Sequence, residues 1–410
     1  MYGNQAGKAG LALLCGLLII LVSGCSAGHN TFGQGPLPTP TPATARLLVS
    51  DNTSSTVIVV DATTDLITKT ISTPTPGKMV SAGGTTLIQS TQSGSVALFD
   101  NATETIRFNV ILAAQPVDIA LTPDGQTAWV AENNGTVQSI NTATSAITST
   151  TAVAGVQRLV MGPQGTTVLA FSNSNATNNT AANSFVVILP SPLTPVTITN
   201  SGLDHPANGI FAVDDEHFLV LNCGVECGGT NAGVVGVVLT NTGTSTQSSP
   251  LVLSGATVGL LNGTTAFVAG SPTTGLNTGT LQVVNSSALT ASAPIHIADG
   301  QHSLMSLTSN GRLYIGSTSC TLGVANAQNL RQGCLSIFDT ATQTVTPVLL
   351  LATRPNGDVT GLAPVAGRNV IYVVQGGVVD IFDITTNAVS TVAIAPTVPG
   401  TAFDVVQLQP

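Results

Sequence analysis

An all-β fold is the first expectation, and three features of the sequence carry it: its composition, a strand-forming run that recurs along most of its length, and a tight turn that recurs with it. The chain has 410 residues, 43% of them hydrophobic but only 7% charged and 4% aromatic. That apolar content excludes a disordered chain. Gly, Thr, Ser and Val are abundant, with Asn and Ile beside them. β-Branched side chains pack well on a pleated surface, and Gly, Asn and Asp serve tight turns.

The N-terminus stands apart from this pattern. Lys8 precedes an apolar run from Leu11 to Val22, which is too short to span a bilayer comfortably but suits the core of a secretory signal. The run meets Val22-Ser-Gly-Cys25, small residues before a Cys, and this resembles the bacterial lipobox. The resemblance implies a signal peptide over 1–24 and a mature N-terminus at a lipidated Cys25. The alternatives are an uncleaved anchor and an ordinary signal with a chance Cys. Acyl chains would hold the protein to a membrane at about 0.8 kcal/mol per buried methylene. Ser26 follows the Cys where an Asp would resemble an inner-membrane retention signal, so the resemblance points to the outer membrane in an organism that has one. Residues 25–44 then form a tether, whose alternating prolines around Pro36 to Pro42 favour an extended, semi-rigid spacer.

From residue 45 onward a repeat takes over. Arg46-Leu-Leu-Val-Ser has counterparts at Thr86, Thr127, Thr167, His217, Thr265, Arg312 and Asn369, at spacings of about 40 to 57 residues. Spacings of this order are expected of propeller blades. A polar loop and a second run follow each copy, as in Ser55-Thr-Val-Ile-Val-Val-Asp61 and Gly377-Val-Val-Asp-Ile-Phe-Asp383. Asp61, Asp100, Asn141, Asp339 and Asp383 then stand where a side-chain oxygen can accept a backbone N–H two residues on, closing a turn. A further strand precedes each unit, as at Val117-Asp-Ile-Ala-Leu-Thr-Pro-Asp-Gly125, making four strands per blade. The expectation is a β-propeller of eight blades, with seven as the alternative if the degenerate stretch 165–310 holds one unit fewer.

Taken together the runs resemble the YVTN-type forty-residue β-propeller repeat, with its Pro-Asp-Gly lead-in and its Asp-Thr-Ala-Thr turn. The resemblance covers 45–410, is closest in the third blade and at Asp339-Thr-Ala-Thr342, and fades in blades four to six, where the turn Asp is lost. The last residues, Ala402 to Pro410, resemble an innermost strand, whereas residue 45 opens on a second strand. The C-terminal strand is therefore expected to close the ring and remove its exposed edges.

With Cys15 in the signal and Cys25 in the lipobox, Cys223, Cys227, Cys320 and Cys334 are left, and an even number in an exported chain reads as disulfides. Local pairing, Cys223 with Cys227 and Cys320 with Cys334, needs no long-range partner. The alternative is half a zinc site, which oxidising surroundings disfavour. Both pairs lie in connections between the second and third strands, and these are enlarged in blades four to seven: 173–183, 222–233, 270–279 and 316–333. Loops longer than a connection needs are often functional.

Those connections share one face with the loops that lead into the innermost strands. The lead-in loops hold the unusual polar side chains Lys78, Gln115, Arg158, His205, Gln301, His302 and Arg354, which are expected to surround the channel mouth as a candidate ligand-binding face. The plainer reading is that such loops are polar because they meet solvent. No hydrolase elbow, phosphate loop or zincin helix appears. His29, His217 and His296 are scattered, so no metal or other cofactor is expected; Asp204, Asp214, Asp215 and Glu216 read as solvated carboxylates beside a turn. The net charge of −9, with only Lys69, Lys78 and seven arginines beyond the signal, makes nucleic acid an improbable partner. The function expected is a membrane-anchored, extracytoplasmic binding or scaffold module for a protein, peptide or glycan. The alternatives are a propeller enzyme of lactonase or lyase type, using His205, His302 and Arg158 or Arg354, and a scaffold inside an outer-membrane assembly.

Overall fold

The computed structural model describes residues 45–172, 183–190, 193–240, 243–272, 279–320, 334–346, 357–390 and 402–409. The signal, Cys25 and the tether lie outside the described residues. So do Arg354 and most of the enlarged connections of blades four, six and seven.

The described strands form eight antiparallel sheets. The third blade shows the unit most clearly: Pro116–Leu121 is innermost, Thr127–Glu132 and Thr136–Asn141 follow, and Ile147–Ala152 is outermost. The second strand of each blade is packed between neighbours on both faces, which is why it reads as a continuous apolar run such as Thr-Ala-Trp-Val-Ala. Outermost strands face solvent and alternate, as Leu66–Ser72 and Thr105–Ile111 do. The eighth blade shows three strands among the described residues, with Val389 bridging Phe382 at the position of the fourth.

Eight apolar clusters, one between each pair of consecutive blades, hold the ring. In one of them Val57 and Val59 meet Met79 and Ile88 between blades one and two. In another, Leu47, Val49 and Val60 meet Tyr372, Val374 and Ile381 between blades one and eight. The latter closes the circle, and the count is eight, not seven. The C-terminal strand Ala402–Gln407 is the innermost strand of blade one, with Asp404 opposite Ser50 of Arg46–Asp51. Asn101 on blade two extends this clasp by donating to the Gln409 carbonyl at 2.6 Å. At the outer rim of the seam Arg368 of blade eight pairs with Asp65 of blade one at 2.7 Å, and the Tyr372 hydroxyl donates to the same carboxylate.

Asp61, Asp100, Asn141, Asp339 and Asp383 each accept a backbone N–H from two residues on. Four residues after each, the chain turns through a left-handed residue, from Asp65 to Asn387. Blade six, which lacks the turn Asp as expected, keeps the turn itself. Asn285 accepts from Ser287 and Ala288, and Leu289 is left-handed at φ 49°, because an amide oxygen caps the turn as a carboxylate does.

Candidate ligand site at the channel mouth

The innermost strands are bulged near their starts in every blade but the sixth, whose Val258–Asn262 pairs in unbroken register; in blade one the bulge falls between Ala402 and Asp404. The register shifts between Pro76 and Met79, Pro116 and Asp118, Val156 and Arg158, Pro206 and Asn208, His302 and Leu304, and Val359 and Gly361. A bulge leaves one residue unpaired and re-aims its side chain. Proline supports this at Pro76, Pro116 and Pro206, since it has no N–H to offer a ladder. The lead-in side is also the side of the second-to-third connections: Cys223 donates to the His205 carbonyl at 2.9 Å and Asn133 to that of Gln115 at 2.9 Å.

The bulged residues rim a cavity of about 520 Å³ at the channel mouth, among them Lys78, Val117, Gln157, Ser303, Thr360 and Phe403. No described residue of blades five and six lines it. The third residue of each innermost strand sets the charge inside: Asp404 in blade one, Lys78 in blade two, Asp118 in blade three and Arg158 in blade four. Four consecutive blades therefore alternate acid and base around the mouth. Lys78 pairs with Asp118, whose other oxygen accepts the Leu159 N–H at 2.7 Å. Asp404 accepts the Met79 and Val405 N–H groups, each at 2.8 Å. Burial pushes its carboxyl up to about 7, against the pull of those hydrogen bonds and of the Lys78 charge.

Arg158 is the exceptional group. Its guanidinium donates to the Ser303 carbonyl of blade seven at 3.3 Å, so the side chain crosses the channel from blade four. Burial lowers its pKa from the usual arginine value, with the Asp118 charge opposing. Among the described residues it forms no ion pair, although every Asp and Glu of the chain lies within them.

Of the described residues expected at the mouth, only Lys78 and Arg158 line the cavity. Gln115 bends back to the Thr91 carbonyl, and Gln301 is exposed on the lead-in side. His205 is held by Asp204 at 2.7 Å, and the same carboxylate accepts the N–H groups of Thr230 and Asn231 in the disulfide loop. His302 is 4% exposed and packs against Gly279 of blade six, with Nε2 donating to the Ala298 carbonyl at 2.9 Å. The two histidines thus serve packing and loop order, and among the described residues neither lines the mouth cavity beside Arg158. Asp214 likewise holds its turn and His217, while Asp215 is 2% exposed and binds the backbone of Gln164 and Thr166, rather than being solvated. The sequence reading missed Asp118 and Asp404, because both sit inside strands that were matched as pattern. Superposing the innermost strands on their starts, forty residues apart from Lys78 to Asp118 to Arg158, reveals the alternation.

Cys223 bonds Cys227 and Cys320 bonds Cys334, with Cα atoms 5.6 Å apart in both. Glu226, within the first loop, reaches the Ser271 N–H of blade six at 2.7 Å. Among the described residues no group of three or more His, Cys, Asp or Glu side chains could hold a metal ion. A second cavity of about 500 Å³ opens between blades five and six beside Phe218, Val238 and Ser286, and is mainly apolar.

The fold and this mouth define an eight-bladed β-propeller with a polar, charge-alternating channel entrance. No family model matches the chain, and no curated protein matches it in sequence. Solved structures share the fold. The dihydro-heme d1 dehydrogenase NirN in complex with DHE has a TM-score of 0.66 at 12% identity, over 90% of this chain and 77% of that one. AztD from Citrobacter koseri has 0.58 at 12%, over 89% and 98%. A functionally unknown protein from Desulfotomaculum acetoxidans has 0.52 at 13%, over 89% and 99%.

Proposed function

We propose that this chain is an extracytoplasmic binding module, anchored to a membrane through lipid on Cys25, and that its ligand sits in the channel mouth. The observation that supports the reading is the cavity itself: about 520 Å³, walled by innermost strands, with charged groups from four blades converging in it. Small-molecule sites commonly enclose 300 to about 1,000 Å³ with a few placed polar groups on an apolar lining. The two disulfides fit an oxidising compartment. The lipobox resemblance supplies the anchor, and the YVTN-type repeat is the family in which we place the chain. NirN, which shares the fold, is described in complex with DHE, consistent with a propeller that takes a ligand.

The test is a ligand screen by thermal shift on the full chain, followed by Lys78→Ala. A ligand of the mouth should bind the variant about 1 to 3 kcal/mol more weakly, the range for losing a hydrogen bond to a charged group. Equal affinity, with protection mapping beside Phe218 and Val238, would move the site to the second cavity. For the anchor, protein purified from membranes should show a diacylated Cys25 by mass, and Cys25→Ser should leave the membrane fraction. A retained segment 1–24 would overturn it.

A second reading, a lactonase or lyase, is favoured by one observation only. A carboxyl poised near 7 inside a cavity, as Asp404 is, suits proton transfer at neutral pH. Turnover of a lactone panel that is lost in Asp404→Asn would support it, and turnover unchanged in that variant would reject it.

A further inference from the structure

We infer that the channel mouth is built for a small organic carboxylate with an apolar body, a specificity that rests on the binding reading above. The argument begins with the charges in the cavity. Lys78 is already neutralised by Asp118, and Asp404 is engaged by two backbone N–H groups. Arg158 is left with a single hydrogen bond, to a neutral carbonyl across the channel. The Asp118 charge that acts on it is shared with Lys78, so this partly buried guanidinium has no carboxylate of its own, and an anion delivered to it gains a charge-assisted partner.

One uncompensated cation matches one negative charge. A dianion such as phosphate would also meet the carboxylates of Asp118 and Asp404, which line the same cavity. The flat guanidinium presents paired donors that match the two oxygens of a carboxylate. The wall also carries a group of apolar side chains, Val117, Leu304, Leu362 and Phe403, beside neutral polar ones such as Gln89, Gln157 and Thr360. A hydrophobic body of ring or short-chain size would cover these side chains while its carboxylate meets Arg158.

Benzoate and 4-phenylbutyrate, their amides, benzylamine and inorganic phosphate are the probes, measured on the full chain by calorimetry and ligand-observed NMR. The two carboxylates should bind at least tenfold more tightly than the amides, the amine or phosphate. Arg158→Gln should abolish that preference, and Arg158→Lys should keep a weakened part of it. Without ligand, Arg158→Gln should melt at or above the parent temperature, since it removes a partly buried charge that has no carboxylate of its own; a side chain retained as a strut would give the opposite result. Tighter binding of benzylamine or an amide, still competing at the mouth, overturns the carboxylate class and leaves the binding site standing. Silence of every probe also overturns the class. Silence combined with a lowered melting temperature for Arg158→Gln takes the binding reading down with it, because Arg158 would then be a tie to Ser303.

Discussion

Two buried titratable residues on different blades pull the pH dependence of stability in opposite directions. Asp404 has its pKa raised from 3.8 to about 7 by burial. Between those values the folded chain holds a proton that the unfolded chain has released, so this group lowers stability as pH rises from about 4 to about 7. His302 has its pKa lowered from 6.5 to about 4, again by burial. Between those values the unfolded chain holds the extra proton, so this group raises stability as pH rises from about 4 to 6.5. The two contributions, each a few kcal/mol by the size of the shifts, largely offset one another in the parent. We expect a nearly flat melting temperature between pH 4.5 and about 6.5 from this pair. Asp404→Asn should convert it to a rising profile and His302→Gln to a falling one, both read by thermal melts in a pH series. Profiles that stay parallel to the parent would show that neither proton is linked to folding.

At the scale of strands and turns, backbone approach matters more than charge. Gly279 begins the third strand of blade six opposite Ile297, and a Cβ there would lie 1.8 Å from the Ala298 carbonyl oxygen. That atom is backbone, one residue past the paired strand Ile295–Ile297, and cannot move aside as a flexible side chain would. Gly279→Ala should therefore destabilise the domain by about 1 to 3 kcal/mol, the range for overpacking a core, seen as a lower denaturant midpoint. A midpoint within error of the parent would mean that the split outer edge of blade six, Thr290–Ala291 and Ile295–Ile297, yields easily. The turns tell a complementary story. Asp61, Asp100, Asn141, Asp339 and Asp383 were legible because the cap and the turn it closes are two residues apart, a local rule. Asn285 obeys the same rule but stands outside an Asp-Thr-Ala-Thr string, so matching the string concealed the chemistry.

For the whole molecule, closure is the decisive event. The strand Ala402–Gln407 fills the innermost place of blade one, supplies Phe403 and Asp404 to the mouth and ties blade two through Met79 and Asn101. Deleting 402–410 should expose an edge on Arg46–Asp51 and strip the cavity of one wall, costing several kcal/mol or preventing folding. A truncated chain that melts with the parent would show that Asp65, Arg368 and Tyr372 at the outer seam suffice to hold the ring.

The architecture was legible in the sequence: repeated apolar runs, the capped turns, the local disulfides and the C-terminal clasp all follow from period, spacing and turn chemistry, which act over a few residues. Eight blades were expected from the repeats, and the structure excluded seven, because degenerate repeats are counted securely only by the clusters between them. The site needed it more. Lys78 and Arg158 stood out as rare cations, yet their partners Asp118 and Ser303 lie one and three blades away, and His302 turned inward where its lead-in position suggested solvent. Only the ring brings third residues of successive strands to one mouth, and only a bulge aims them there. That is why the fold could be read along the chain while the charge pattern of its channel is a property of the closed circle.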